Sequence, residues 1–443
     1  MDTVAPDLVD KASYAGHYFS DKAPGLSLLA FPVAFGIHAA AHALGLPTQQ
    51  FFAGYPTRFF VVCVWASCML TNSLITAIAA GAIFILARYL RASVDAALFG
   101  ALCFGLATPA FGWSTVFFGH AIAGGLLFLA FAVTVVAGEP DNPERGDVPS
   151  AVAIGLLLAW MFTIEFTTAV AGLLVALLGL RLTMAFAPHR RIRIVIAALA
   201  GALVGLVPLA VYNAAAFGSP FHLGYASAVG FEGMQQGLFG IGIPQPAVIY
   251  NILLGRYRGI VWVAPVLVAA PFALVAMARR VRTDVAFVVI LVPIGFILLN
   301  AGYVYWNGGW STGPRHIVPM LPFIGLALAF LWDAAGRKLR VGLAALALLS
   351  MAMSTICASV TMFASEADPD PVFTQLLPGF WNGQVHDLLV LAGVPGWTSY
   401  LGVPVVVAVG FLGSRLLPTS GRIGHALEAL MQDRTMKREA LAP

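Results

Sequence analysis

Apolar runs of membrane-span length recur along this chain, and the stretches between them alternate between basic and nearly cation-free. Candidate spans fall at 58–87, 95–111, 115–137, 151–181, 194–216, 259–278, 285–305, 316–333, 341–363 and 400–417. A helix needs about 20 residues to cross the hydrocarbon of a bilayer, and an open backbone leaves N–H and C=O groups there without partners. The pattern therefore predicts an all-α polytopic membrane protein. Composition excludes the alternatives. Of the 443 residues 60% are hydrophobic and 10% charged, whereas soluble domains carry about 25% charged residues. That leaves no polar shell for a cytosolic enzyme and too much apolar content for a disordered chain. The net charge of +4 is too small to imply a nucleic-acid partner. Cys63, Cys68, Cys103 and Cys357 all fall in apolar runs without a C-x-x-C spacing, so they read as small buried hydrophobes rather than disulfides or metal ligands.

The basic stretches are Arg88 with Arg91, Arg190-Arg191-Ile192-Arg193, Arg279-Arg280-Val281-Arg282 and Arg337-Lys338-Leu339-Arg340. Poor in cations are 217–258, 306–315 and 364–399. The positive-inside rule places the first set in the cytoplasm and the second outside it, in a plasma (inner) membrane with a periplasmic or extracytoplasmic outer face. Alternation then requires two things. The 151–181 run must cross twice, turning at the polar break Thr163-Ile164-Glu165-Phe166-Thr167-Thr168. The 25–46 run, with Pro32, His38, His42 and Pro47, must be an interfacial or re-entrant helix on the outer side. The expected architecture is a bundle of about eleven crossings. An outer first loop with an interfacial helix occupies 1–57, the bundle 58–417, and a basic cytoplasmic tail 418–443. No basic-then-apolar signal opens the chain, so a first transmembrane helix upstream of Met1 is expected.

On this topology only Lys11, Lys22, Arg58, Arg256, Arg258 and Arg315, of 24 Lys and Arg, lie outside. All nine Trp but Trp332 fall in or near the outer half. Candidate chemistry gathers there too. The first loop carries Asp2, Asp7, Asp10 and then Gly16-His17-Tyr18-Phe19-Ser20-Asp21-Lys22-Ala23-Pro24-Gly25. Carboxylates beside a lysine at a membrane surface suit a general base next to a cation for phosphate; the alternative is a solvated loop and a helix cap. A second loop reads Tyr303-Val304-Tyr305-Trp306-Asn307-Gly308-Gly309-Trp310-Ser311-Thr312-Gly313-Pro314-Arg315-His316. Arg315 sits where insertion asks for no cation, and a planar guanidinium fits paired phosphate oxygens. Tyr305, Trp306 and Trp310 could stack on a sugar. The 217–258 loop ends in Arg256 and Arg258, either lipid-phosphate ligands or headgroup anchors. Glu165 is a lone acid in an apolar stretch, and His120 ends an outer turn; both could reach the same cavity, or serve as cap and packing residue.

Three stretches resemble the polytopic GT-C glycosyltransferases, the relatives of protein O-mannosyltransferases and aminoarabinose transferases. The first runs from Gly16 through Tyr18-Phe19-Ser20-Asp21-Lys22-Ala23-Pro24-Gly25 to Leu29. The second is Trp306-Asn307-Gly308-Gly309-Trp310-Ser311-Thr312-Gly313-Pro314-Arg315, followed by Pro319 and Leu321-Pro322-Phe323. The third is Phe217-Gly218-Ser219-Pro220 with Gly224-Tyr225, then Gly255-Arg256-Tyr257-Arg258-Gly259 and Ala264-Pro265. The likeness covers residues 2 to 330. It implies transfer of a sugar from a polyprenyl-phosphate donor to a lipid, glycan or protein acceptor on the outer face. It further implies a first-loop carboxylate as base and Lys22 on the donor phosphate. Asp2 takes the position of the family's early loop acid. The family's Asp-Glu pair is not visible, so the base is drawn from Asp2, Asp10 and Asp21. Arg315, Arg256 and Arg258 complete the expected phosphate ligands, and His17, His120, Glu165, Tyr305, Trp306, Trp310 and His316 the sugar and acceptor contacts. No ligand spacing specifies a metal; a divalent cation, Mg or Mn, bridging carboxylate and phosphate stays open. A transporter or lipid flippase is the competing class, but no internal repeat is visible and the polar residues avoid the midplane.

Overall fold

The computed structural model describes residues 10–52, 55–139, 147–391, 393–394 and 396–401. Asp2, the tail 418–443 and nearly all of the expected span 400–417 lie outside the described residues. The chain divides into two compact units, Met1–Leu376 and Leu377–Pro443. Among the described residues nine helices are long and apolar enough to cross a membrane, and Val94–Leu106 and Pro265–Ala278 are shorter apolar helices.

The first unit opens with a hairpin of strands β1 (Lys11–Tyr14) and β2 (His17–Ser20), turned at Ala15 and Gly16, both with positive φ. Helices α1 (Gly25–Ala43) and α2 (Arg58–Cys68) follow, joined through the two-residue strands β3 (Phe51–Phe52) and β4 (Tyr55–Pro56). Next come α3 (Leu74–Tyr89), α4 (Val94–Leu106), α5 (Ala110–Ser114), α6 (Gly119–Ala137), α7 (Asp147–Ile164), α8 (Ala169–Thr183) and α9 (Pro188–Phe217). The 217–258 segment holds strand β5 (Ala228–Val229), which pairs with β1, and helix α10 (Pro246–Leu253). Helices α11 (Ile260–Val263), α12 (Ala270–Ala278), α13 (Thr283–Gly302), α14 (Leu321–Ala334) and α15 (Arg337–Val360) complete the bundle.

The basic stretches meet at one end. Asp333 accepts from Arg280 at 2.7 Å and from the Ser93 hydroxyl at 2.6 Å, and Asp95 accepts from Arg340 and from the Trp332 indole. Arg190 grips the buried Asp147 with two bonds, Nε at 2.6 Å and Nη2 at 2.9 Å. The 151–181 run forms two helices of membrane-spanning length, as a double crossing requires: α7 and α8 are separate, with Glu165 in extended backbone between them.

The 58–87 run forms one apolar helical stretch, Arg58–Tyr89, long enough to cross a membrane, as expected. A helix from Arg58 to Tyr89 would be about 48 Å long, well beyond the roughly 30 Å of hydrocarbon. A π-helical turn at Met69–Ser73 interrupts it. Asn72 in that turn bonds to the carbonyls of Val116 and Phe118, at the end opposite the basic stretches. Helix α1 starts at that same end, where Gly25 packs so closely on the Thr163 carbonyl that a Cβ would come within 2.6 Å. The His38 and Phe59 rings lie 5.9 Å apart. Together α1 and α2 leave from and return to one end, and add no net crossing.

One seam fixes a wall of the bundle. Ala151, Gly155 and Ala159 on α7 face Ala198, Gly201 and Gly205 on α9, and a Cβ on Gly155 or Gly201 would run into the opposite helix's backbone. Small residues let two backbones touch where the hydrophobic effect gives helices no reason to associate. The second unit has two short helices, α16 (Leu377–Trp381) and α17 (Leu388–Leu391), and a ring cluster around Phe380, with Trp397 at 4.4 Å and Tyr400 at 6.0 Å.

Candidate active site

The cation-poor loops of the first unit converge at the end away from the basic stretches. The β1–β2 hairpin leads straight into Asp21-Lys22. Packing of Ala12, Phe19 and Phe217 and a hydrogen bond from the Tyr212 hydroxyl to the Ser20 carbonyl, 3.1 Å, fix it to the end of α9. Lys22 Nζ lies 3.0 Å from Asp10 and 3.0 Å from Asp21. The ammonium also sits over the rings of Tyr225, 5.6 Å, and Phe231, 5.4 Å. The Asp21 side chain has no exposed surface and its Oδ1 has no partner. Burial raises its carboxyl above the usual carboxylate range; Lys22 offsets part of that and the charge of Asp10 adds to it. An acid so placed holds a proton more readily than a free carboxylate, as a general base must.

Arg315 enters from the opposite side, on the turn that opens the last third of the bundle. Its guanidinium lies over the Phe118 ring at 5.0 Å, and its Nε has no partner. Arg315 is within electrostatic reach of Glu165, Asp10, Tyr225 and Tyr303. Asp21 in turn acts on both tyrosines. Glu165, Tyr225, Arg315 and His316 lie deep among surrounding atoms yet keep accessible surface, as groups lining a recess do. Burial and the Glu165 charge push both tyrosine hydroxyls up, so they are neutral donors at neutral pH.

The floor of the recess is a polar cluster. Glu165 Oε2 is 3.1 Å from His120 Nδ1, and Glu165 Oε1 accepts from the Thr167 hydroxyl at 3.0 Å. The ring of His316 stands edge-on to His120 at 5.3 Å and to Tyr303 at 5.4 Å. Tyr305 packs on Phe231 and accepts from the Gly233 N–H at 3.1 Å. Hence Asp10, Asp21, Lys22, His120, Glu165, Tyr305, Arg315 and His316 are linked to one another through direct contacts or electrostatic reach.

The other expected residues are placed differently. Arg258 is 1% exposed and donates to the carbonyls of Asn307 at 3.0 Å, Gly309 at 2.9 Å, and Ser365 at 3.4 Å. A guanidinium committed to three carbonyls is a clamp on the loops, not an open phosphate ligand; this corrects the expectation. Arg256 pairs with Asp370 at 3.1 Å and leans on Phe373 at 4.9 Å, on an exposed edge. His17 stands exposed at the hairpin turn. Trp306 packs edge-on against Tyr257, and Trp310 is 61% exposed. Gly308 and Gly309 both have positive φ, which glycine adopts without strain. Gly308 presses on the Arg315 side chain, where a Cβ would meet Cγ and Nε at 3.2 Å.

One residue escaped the sequence reading. Asn72, fully buried in the π-helical turn, donates to the carbonyls of Val116 at 2.6 Å and Phe118 at 2.9 Å. Ser73 donates to Ser114 at 2.9 Å. The extra residue of a π-turn, a feature common at functional sites, aims both side chains at the loop that holds Phe118 under Arg315. Among the described residues no group of three or more His, Cys, Asp or Glu side chains is arranged to hold a metal ion.

Two solved structures are similar. One is the crystal structure of ArnT from Cupriavidus metallidurans bound to undecaprenyl phosphate, with 17% identity over 76% of this chain and 64% of that one, TM-score 0.47. The other is the archaeal oligosaccharyltransferase AglB from Archaeoglobus fulgidus in complex with an inhibitory peptide and a dolichol-phosphate, with 10% identity over 81% of this chain and 50% of that one, TM-score 0.40. The chain spans less than two thirds of the length of either. No family model and no curated protein matches.

Proposed function

We propose that this chain is an inverting membrane glycosyltransferase that moves a sugar from a polyprenyl-phosphate donor to a lipid, glycan or protein acceptor on the outer face of the membrane. The observation that carries the reading is that Lys22, braced by two carboxylates, and Arg315, whose Nε is unpartnered, have Asp10 and Tyr225 as common neighbours at the end opposite the basic stretches. The motif resemblance adds to it. Two cations that insertion did not require would neutralise a lipid phosphate as it leaves, in a site whose dipoles are already oriented. The acceptor oxygen attacks the anomeric carbon. The bond from that carbon to the phosphate oxygen breaks, and polyprenyl phosphate departs with the electron pair. The hydroxyl proton passes to a carboxylate of the Lys22 cluster, either Asp10, which keeps accessible surface, or Asp21, whose proton affinity burial raises but which a small movement of the hairpin must uncover. The other carboxylate then keeps Lys22 oriented. Tyr225, Tyr303 and the Glu165–His120–His316 cluster supply neutral donors and a fixed acceptor for sugar hydroxyls.

The test is transfer from a synthetic polyprenyl-phosphate sugar by the purified protein in vesicles. Lys22→Ala and Arg315→Ala should each lower kcat/KM by about a hundredfold or more. Wild-type rates in both variants would refute the phosphate assignment. Movement of lipid without transfer would favour the flippase class.

A further inference from the structure

Helices α8 and α13 lie side by side and antiparallel, with a furrow along the surface they share. Toward the basic end it widens to a cavity of about 650 Å³, walled by Leu174, Leu178 and Arg181 of α8 and by Arg282, Asp284 and Phe287 at the start of α13. Past Leu174 a small hollow carries it on between Val170 and Leu291. Val170, Leu177 and Phe287 are exposed along its length, so it opens on the membrane-facing surface. From Arg181 the furrow runs about 10 Å to Leu174 and about 16 Å to Val170. One leaflet holds roughly 15 Å of hydrocarbon.

The furrow is polar at one end only. Among the described residues Arg181 makes no hydrogen bond or ion pair through its side chain. Arg190, Arg280 and Arg340 at the same end are tied to Asp147, Asp333 and Asp95. Arg282 commits Nε and Nη2 to Asp284, at 3.2 and 2.7 Å, and its Nη1 donates to nothing among the described residues. Two guanidiniums against one carboxylate leave the mouth with an excess of positive charge. From Leu178 to Val170 the α8 wall is apolar throughout. Charge at the basic end and hydrocarbon along the rest match an amphiphile entering from the basic side. Lys22 and Arg315 stand at the opposite end, so a lipid seated here is not the donor in its reactive position.

We propose that the α8–α13 furrow is a site for one anionic phospholipid of the leaflet on the basic side. Its phosphate lies between Arg181 and Arg282, and one acyl chain follows Leu178 and Leu174 toward Val170. A guanidinium with free donors suits phosphate oxygens. The excess charge favours an anionic headgroup over a zwitterionic one, whose ammonium the two arginines repel. The assignment is independent of the proposed function. The two helices lead at their far ends to Glu165 and Tyr303, so a lipid bridging them braces two walls of the candidate site.

The test is native mass spectrometry of the full chain in detergent. It is titrated with phosphatidylglycerol, with phosphatidylcholine of the same acyl chains, and with phosphatidylglycerol beside excess inorganic phosphate. The variants are Arg181→Gln and, as control, Arg279→Gln, which removes an exposed arginine at the same end that does not line the furrow. Wild type should retain one phosphatidylglycerol, about fivefold more tightly than phosphatidylcholine, the worth of one cation near a headgroup. Arg181→Gln should lose that preference, and Arg279→Gln should stay within about twofold of wild type. Arg181 is exposed, so its replacement leaves the packing of α8 in place. Equal losses in the two variants would reduce binding to the general charge of this end and overturn the proposal. Equal retention of the two lipids by wild type overturns it as well, leaving the furrow to any acyl chain. Displacement of phosphatidylglycerol by inorganic phosphate would make the arginines a phosphate site with no lipid specificity, and retention of neither lipid would leave the furrow without an occupant; each overturns it.

Discussion

Replacing Arg258 separates a clamp from a phosphate ligand. Arg258→Met keeps the volume and removes the fork. The carbonyls of Asn307 and Gly309, now bonded at 3.0 and 2.9 Å, would be left without donors in a closed environment. At about 1–3 kcal/mol for each orphaned group, and with the cost of burying the guanidinium recovered, the net loss comes to about 3 kcal/mol. Unfolding entropy scales at about 2.1 cal/mol/K per residue, so this lowers Tm by about 3 °C in a chain of this size. The released loop carries Gly308 away from Arg315, and donor KM should rise by about tenfold. Arg258→Lys keeps the charge but cannot span two carbonyls with one ammonium, so it should recover little of either effect. Thermal unfolding in detergent, followed beside donor kinetics, gives both readings. Unchanged Tm in Arg258→Met with a raised KM, restored by lysine, would refute the clamp and return Arg258 to the phosphate.

Asn72→Leu removes both bonds to the 116–118 carbonyls; it should cost about 2 kcal/mol and raise donor KM more than it lowers kcat, whereas a KM equal to wild type would show that Phe118 holds its place unaided. The raised proton affinity of Asp21 predicts an acid limb in kcat/KM: the rate falls as pH drops through a value above the ordinary 3.8, and Asp21→Asn loses both the rate and the limb. The same shift means that the folded protein binds this proton more tightly than the unfolded chain, so Asp21 lowers stability as pH rises through that window; an acid limb that persists in Asp21→Asn would assign the base elsewhere. Asp147→Asn takes the carboxylate charge from the buried Arg190 and should cost about 3–5 kcal/mol, Arg190→Met leaves Asp147 with Arg193 at 3.3 Å and should cost less, and the double change Asp147→Leu with Arg190→Met recovers most of the larger loss; equal losses in all three would show that the pair is not coupled.

What the sequence made legible follows from which forces act locally. Charge asymmetry across a membrane is written in the loops themselves, so the gathering of Arg88, Arg190, Arg280 and Arg340 at one end could be read without coordinates, as could the turn at Glu165. The two loop motifs bring their own cations, and Lys22 and Arg315 have Asp10 and Tyr225 as common neighbours. Asn72 was not legible, because a π-turn leaves the surrounding apolar run unbroken and its hydrogen-bond partners lie 44 and 46 residues away. Arg258 misled for the same reason: a cation near an outer loop looks like a ligand until the carbonyls that claim it, 49, 51 and 107 residues on, are in place. The same unbroken run at 58–87 hid the π-turn at its middle.

The seam of small residues along α7 and α9 has a mechanical consequence. Two backbones already in contact can neither approach further nor separate without opening a void in hydrocarbon, so this wall keeps its dimensions. On the proposed function, admission of substrate and release of product would then fall to the parts hung on that frame, the hairpin that carries Lys22 and the stretch around Tyr225, and stiffening those two would slow turnover while leaving the chemistry intact.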